Sequence, residues 1–152
     1  MDLSGEMLSM ARRRAASLGL CGDGGAGPAV RFVRGDATSL PFDVASFDTV
    51  LDTFSLCVLG AAAPRALQEM ARVVRPGGRV LLLEHARSGF EPLGAYQDAT
   101  AEAVAATGKG CFWNQRVAEM LPAAGLRIVA RRDALGGTLT VIEAQRIPDA
   151  AA

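Results

Sequence analysis

Residues 34–59 read RGDATSLPFDVASFDTVLDTFSLCVL. This is the end of one strand, a polar turn, and a second strand that runs into a loop. The first strand is AVRFV (29–33), with Gly35 and Asp36 directly after it. The second is FDTVLDTFSL, in which Phe47, Val50 and Leu51 supply apolar residues suited to a pleated surface. An acid just past a strand end is well placed to accept hydrogen bonds from a ligand, because open α/β sheets bind ligands over the carboxyl ends of their strands.

Outward from this stretch, apolar periodicity sets the flanking elements. Residues 3–18 carry a helical pattern in Met7, Leu8, Ala11, Ala15 and Leu18, with Ser4 as N-cap and Gly19 at the end. Residues 22–28 are glycine-rich but lack GxxxxGK[ST] and a following helix, so a surface turn is the better reading than a phosphate cradle. On the other side, PRALQEMARVV (64–74) is amphipathic, with Leu67, Met70, Ala71 and Val74 inward and Arg65, Glu69 and Arg72 outward. Pro76-Gly77-Gly78 stops it and turns into RVLLLEHA, an apolar run suited to a parallel strand buried on both faces. Strand, helix, turn and strand make a βαβ unit. A helix over 92–107, a helix over 114–124 with Val117, Met120 and Leu121 inward, and the strands LRIVARR and GTLTVIEAQR complete the pattern. The last strand is expected to pair antiparallel, and the tail 148–152 to be disordered.

The bulk numbers bound the function. A chain of 152 residues supports one core. Sixteen basic and sixteen acidic side chains cancel, so no global field recruits nucleic acid or an anionic membrane. No apolar run reaches the roughly 20 residues of a membrane span. Cys21, Cys57 and Cys111 are far apart in the chain, without CxxC or Cys/His ligand spacing, so neither a metal nor a disulfide framework is expected. A reducing intracellular compartment, cytoplasmic or organellar, is the expected location.

Four segments carry a family resemblance. Asp2-Leu3-Ser4-Gly5-Glu6-Met7-Leu8 resembles the DxSxxML segment of class I S-adenosyl-L-methionine (SAM)-dependent methyltransferases. Asp36-Ala37 resembles the third motif of that family, and Asp52-Thr53-Phe54 its segment at the end of the next strand. Glu69 to Gly78 followed by LLLEH resembles L-x-E-x-x-R-V-L-K-P-G-G-x-L. The segments LEHARS, GCFWN and GGT are similar to the methyltransferase type 11 branch, which includes the ubiquinone/menaquinone C-methyltransferases and the methyltransferase-like thiol methyltransferases. The resemblance implies SAM as cofactor. It also implies that Asp2 holds the ribose hydroxyls with Leu3 beside it in the cofactor site, that Asp36 and Ala37 receive the adenine, and that Asp52, Thr53 and Phe54 line the methionine part. A carboxylate can accept both bonds of a vicinal diol. Asp2 can equally be a helix-capping acid, and Asp36 a turn aspartate bonded to its own backbone.

His85, the single histidine, stands where a strand meets the ligand edge. It can act as a base or be a packed polar group. Cys111 has no histidine nearby in the chain to activate it. The family's glycine-rich SAM loop would precede Asp2 by about 20 residues. The expectation is therefore an α/β chain with an incomplete Rossmann-like fold: a mostly parallel sheet, an antiparallel C-terminal strand, and the first strands missing. On that reading 1–147 is a partial methyltransferase domain, the piece of a longer enzyme acting on a small, apolar or lipid-like acceptor. A non-catalytic module, whose sheet a protein partner completes by strand addition, is the competing reading. A nicotinamide-dependent dehydrogenase fits less well, because Tyr96 is followed four residues later by Thr100 and not by lysine.

Overall fold

The computed structural model describes residues 1–20 and 30–148. The glycine-rich segment 22–28, Ala29, Cys21 and the last four residues lie outside the described residues. The chain divides into two compact units, 1–41 and 42–152.

The first unit holds helix α1 (Gly5–Ser17). Ser4 Oγ accepts the Met7 N–H at 3.2 Å, the N-cap the sequence called for, and Gly19 leaves the helix at φ 67°. The expected strand over 29–33 does not form across its described residues. Asp2 and Arg34 make a single parallel bridge, in which the Asp2 N–H donates to Val33 O and the Gly35 N–H donates to Asp2 O, both at 3.2 Å. A strand needs a ladder of such bonds. Here the partner turns into its helix two residues later, as Asp2 Oδ1 takes the Ser4 N–H at 2.7 Å, and pairing stops. Arg12 lies over the Phe32 ring at 5.7 Å.

The second unit is a four-stranded sheet in the order β1-β2-β4-β3, with β1 (Phe47–Thr53), β2 (Val74–His85), β3 (Leu126–Ala134) and β4 (Leu139–Arg146). β1 and β2 are parallel, and β4 runs antiparallel to both β2 and β3. The short helix α2 (Leu56–Leu59) and α3 (Ala63–Val73) connect β1 to β2, completing the βαβ unit. β1 ends at Thr53 rather than continuing to Leu56, because Phe54, whose N–H still reaches Leu83 O of β2 at 2.9 Å, adopts φ 53°.

The core gathers Leu56, Leu67, Val73, Val80, Leu82, Leu121, Leu126 and Ile142, all almost fully buried. β2 is buried on one face through Val80, Leu82 and Glu84 but only half-buried on the other, where Leu81, Leu83 and His85 stand. On α3, Leu67, Met70 and Ala71 point inward as expected. Glu69 is buried instead of solvated, because Arg72 grips it twice, at 2.9 and 2.8 Å, and Arg65 approaches to 3.4 Å. A charge so held is tolerated out of water.

The Pro-Gly-Gly turn is a bulge inside β2. Phe47 faces Val74 and Thr49 faces Arg79, so five steps along β2 match two along β1. Gly77 takes φ 75°. A Cβ on buried Gly78 would meet Asp48 O and Val74 Cγ2 at 2.8 Å and Arg75 O at 2.9 Å. Gly78→Ala is therefore expected to cost about 2 kcal/mol, the usual scale of overpacking, read as a lower denaturation midpoint at unchanged m-value.

Helix α4 (Glu91–Thr107) matches the expected span closely. The helix expected over 114–124 shrinks to α5 (Val117–Met120) and a 3₁₀ turn at Pro122–Ala124. Pro122 has no N–H to continue the ladder, and Gly125 at φ 75° reverses the chain. Arg87 clamps Asp98 at 2.8 Å and Glu91 at 3.1 Å. Bonds from Asn114 and then Arg87 hold the Asp98 carboxyl below its usual range, and Arg87 does the same to Glu91. Carboxyls lowered on folding stabilise the fold above their unfolded values, roughly pH 4. That contribution disappears as pH falls through the lowered values. Acid unfolding of Arg87→Gln should therefore be shallower below about pH 4 than wild type, followed by circular dichroism.

Candidate functional site

In the first unit, the backbone bonds between Asp2 and 33–35 set Asp2 opposite Arg34, two residues before Asp36. Each acid also serves its local turn. Asp2 Oδ1 takes the Ser4 N–H, and Asp36 Oδ1 takes both the N–H and hydroxyl of Thr38 at 2.8 Å. These bonds hold the Asp36 carboxyl below its usual range. One oxygen of each acid is engaged in this way, and the other remains for a diol or an amine, so these carboxylates fit a nucleoside. Leu3 is exposed and Ala37 half-buried.

In the second unit, the chemistry collects at the carboxyl ends of β1 and β2. Thr53 and Phe54 are exposed there, and the Phe54 ring tilts at 46° against His85, centroids 5.0 Å apart. Asp52 Oδ1 accepts the Ser55 hydroxyl, while Asp52 Oδ2 is buried without a hydrogen-bond partner. Beside it is Glu84, fully buried, whose Oε1 accepts the N–H groups of Ser55 at 2.8 Å and Leu56 at 3.2 Å. Its Oε2 accepts the Cys57 N–H at 3.3 Å. A strand side chain thus supplies the cap that the Ser55 hydroxyl, turned to Asp52 instead, does not give α2.

Burial first, and then the charge of Asp52, push the Glu84 carboxyl up to about 7. Sequence reading had placed Glu84 only as part of an architectural segment. The available signal was an acid inside the apolar run LLLEH: a carboxyl on a buried strand requires partners.

His85 is half-buried, and burial lowers its pKa, keeping the imidazole neutral. Its Nδ1 lies 3.2 Å from Cys111 Sγ, which is 3.0 Å from Cys57 Sγ. Sequence distance had argued against any Cys/His set and against an activating histidine for Cys111. The fold nonetheless brings the three side chains together, because the Phe112 N–H donates to Cys57 O at 2.9 Å and pins the 111–112 segment to α2. Burial raises the Cys57 thiol well above its usual range. Trp113 Nε1 is buried without a partner, and its ring meets Tyr96 edge-on at 5.9 Å.

Comparisons with known proteins agree on one theme. Residues 1–82 match the methyltransferase domain family Methyltransf_11. The ubiquinone/menaquinone biosynthesis C-methyltransferase UbiE of Cronobacter sakazakii is 36% identical over 98 residues, 64% of this chain and 36% of that protein. The chain thus spans about a third of the length of the curated relatives it matches. A SAM-dependent methyltransferase from Methanosarcina mazei superposes with a TM-score of 0.71 at 21% identity, over 97% of this chain and 81% of that one. The [4+2]-cyclase SpnF gives 0.73 at 19% identity, over 95% and 64%. Such likenesses speak for the fold, and SpnF shows that the fold hosts other chemistry.

Proposed function

Since the chain belongs to the methyltransferase domain family of class I SAM-dependent enzymes, we propose that its residues serve methyl transfer from SAM to a small, apolar or lipid-like acceptor. When bound, SAM supplies an electrophilic methyl on its sulfonium. Asp2 then holds the ribose, with Leu3 beside it, and Asp36 and Ala37 receive the adenine; Asp52, Thr53 and Phe54 lie along the methionine part. The observation that supports this reading is the backbone pairing of Asp2 with 33–35 in the first unit, which sets Asp2 opposite Arg34, two residues before Asp36. An in-line displacement asks little covalent work of the protein, which contributes positioning and exclusion of water. The UbiE relatives, named as C-methyltransferases, make a ring carbon of a quinone-type acceptor the first to try.

The test is a SAM titration followed by backbone-amide NMR, which detects weak binding. The expected result is saturable shifts at Leu3, Ser4, Ala37 and Thr38, with Asp36→Ala weakening binding about tenfold, the worth of one good hydrogen bond. A spectrum unchanged at millimolar SAM, or shifts confined elsewhere, overturns the assignment.

A second reading rests on the sheet edge. Among the described residues β1 pairs only with β2, and Leu51 on it is 69% exposed. A bare apolar edge suits strand addition by a protein partner, which would make the chain a non-catalytic pairing module. Native mass spectrometry that finds only monomer at high concentration counts against it.

A further inference from the structure

Three soft ligand atoms converge at the ends of three different segments. Cys57 comes from α2, His85 from the last position of β2, and Cys111 from the segment after α4; one ligand atom from each lies within 4.8 Å of the others. We propose that Cys57, His85 and Cys111 form a binding site for a thiophilic divalent cation of the zinc class, with the fourth coordination position open.

Ligand chemistry and geometry both support a cation. Two thiolates and one imidazole are a recognised three-ligand zinc set that leaves one position for water or substrate. With Zn–S near 2.3 Å, tetrahedral sulfurs stand roughly 3.8 Å apart. The observed sulfur separation of 3.0 Å and the Nδ1–Sγ separation of 3.2 Å need only small side-chain rotations outward. On binding, each thiol releases its proton to solvent as its Zn–S bond forms, and neutral His85 offers the Nδ1 lone pair, so no electrons are exchanged.

The surroundings favour positive charge. Glu84 Oε2 accepts the Cys57 backbone N–H at 3.3 Å, so an acidic side chain stands beside the site. Cys57 is 1% exposed, whereas His85 and Cys111 are half-buried, so an ion enters from their side and finds Cys57 at the back. A Cys57–Cys111 disulfide is the competing chemistry. It would leave His85 without a role and would require an oxidant to reach the enclosed Cys57.

The test uses the full chain carrying Cys21→Ser, so that the two clustered thiols are the only ones. Reduced protein is titrated anaerobically with Co²⁺ and then displaced with Zn²⁺. The expected result is one equivalent of Co²⁺ with thiolate-to-cobalt charge-transfer bands and tetrahedral ligand-field bands, all bleached by Zn²⁺. Cys111→Ser and His85→Asn should each weaken binding by about 100-fold or more, exceeding the 10–100-fold typical of outer-shell partners. Circular dichroism must show both variants folded. Because Cys111 lies in a half-exposed segment, Cys111→Ser keeps the test valid even if substitutions at Cys57 unfold the chain. Absence of charge-transfer bands in the folded, reduced protein overturns the proposal. So does binding that survives Cys111→Ser, or a Cys57–Cys111 disulfide that persists under millimolar glutathione.

Discussion

Glu84→Ala should be the most damaging single substitution in the described chain, lowering stability by about 4 kcal/mol. The carboxyl accepts three backbone N–H groups, from Ser55, Leu56 and Cys57, in a position with no exposed surface. Removing it strands those donors where water cannot replace the lost acceptor, and each unsatisfied buried group costs roughly 1–3 kcal/mol. A cavity at the packed end of β2 adds to this. Glu84→Gln separates the causes. It keeps an acceptor for Ser55 and Leu56 and removes the charge that opposes Asp52, so its cost should be about 1 kcal/mol. Urea unfolding of both variants checks this, with the midpoint moving and the m-value constant. Equal loss in the two would mean that charge, rather than acceptor geometry, is what α2 requires.

Gln97→Leu should follow closely, at about 3 kcal/mol. Gln97 is fully buried on α4. Its Oε1 accepts the Ser88 N–H at 2.7 Å, and its Nε2 donates to Ala86 O at 2.9 Å and Trp113 O at 2.8 Å. One side chain thus ties the end of β2, the turn after it and the segment leading to α5. Leucine fills nearly the same volume, so the loss isolates the hydrogen bonds from the packing. For a domain of this size the expected fall in Tm is roughly 10 °C. A fall of only a degree or two would show that the chain relaxes and solvates these groups.

The fold and the candidate site were legible to different depths. Periodicity gave α1, α3 and α4 nearly to the residue, because Ser4, Gly19, Pro64 and the Gly108 end are local punctuation whose physics needs no distant partner. The βαβ unit followed from the spacing of β1, α3 and β2. The expected strand did not follow over its described residues, 30–33, since a strand exists only where a ladder is offered, and no composition reveals the partner. Glu69 was misjudged for a related reason: its helical position reads as solvated until Arg65 and Arg72 close over it.

By itself, the sequence determined the family, the order of elements and the positions of Asp2, Asp36 and Asp52 at segment ends, all properties of short stretches and their spacing. Only the tertiary structure decided that Glu84 caps a helix across the sheet. It alone brought Cys57, His85 and Cys111, separated by up to 54 residues, within 4.8 Å of one another. The physical reason is that local spacing fixes direction and periodicity, whereas the meeting of distant side chains depends on how α2 and the segment after α4 pack on the end of β2. That packing is written in the whole core and in no single motif.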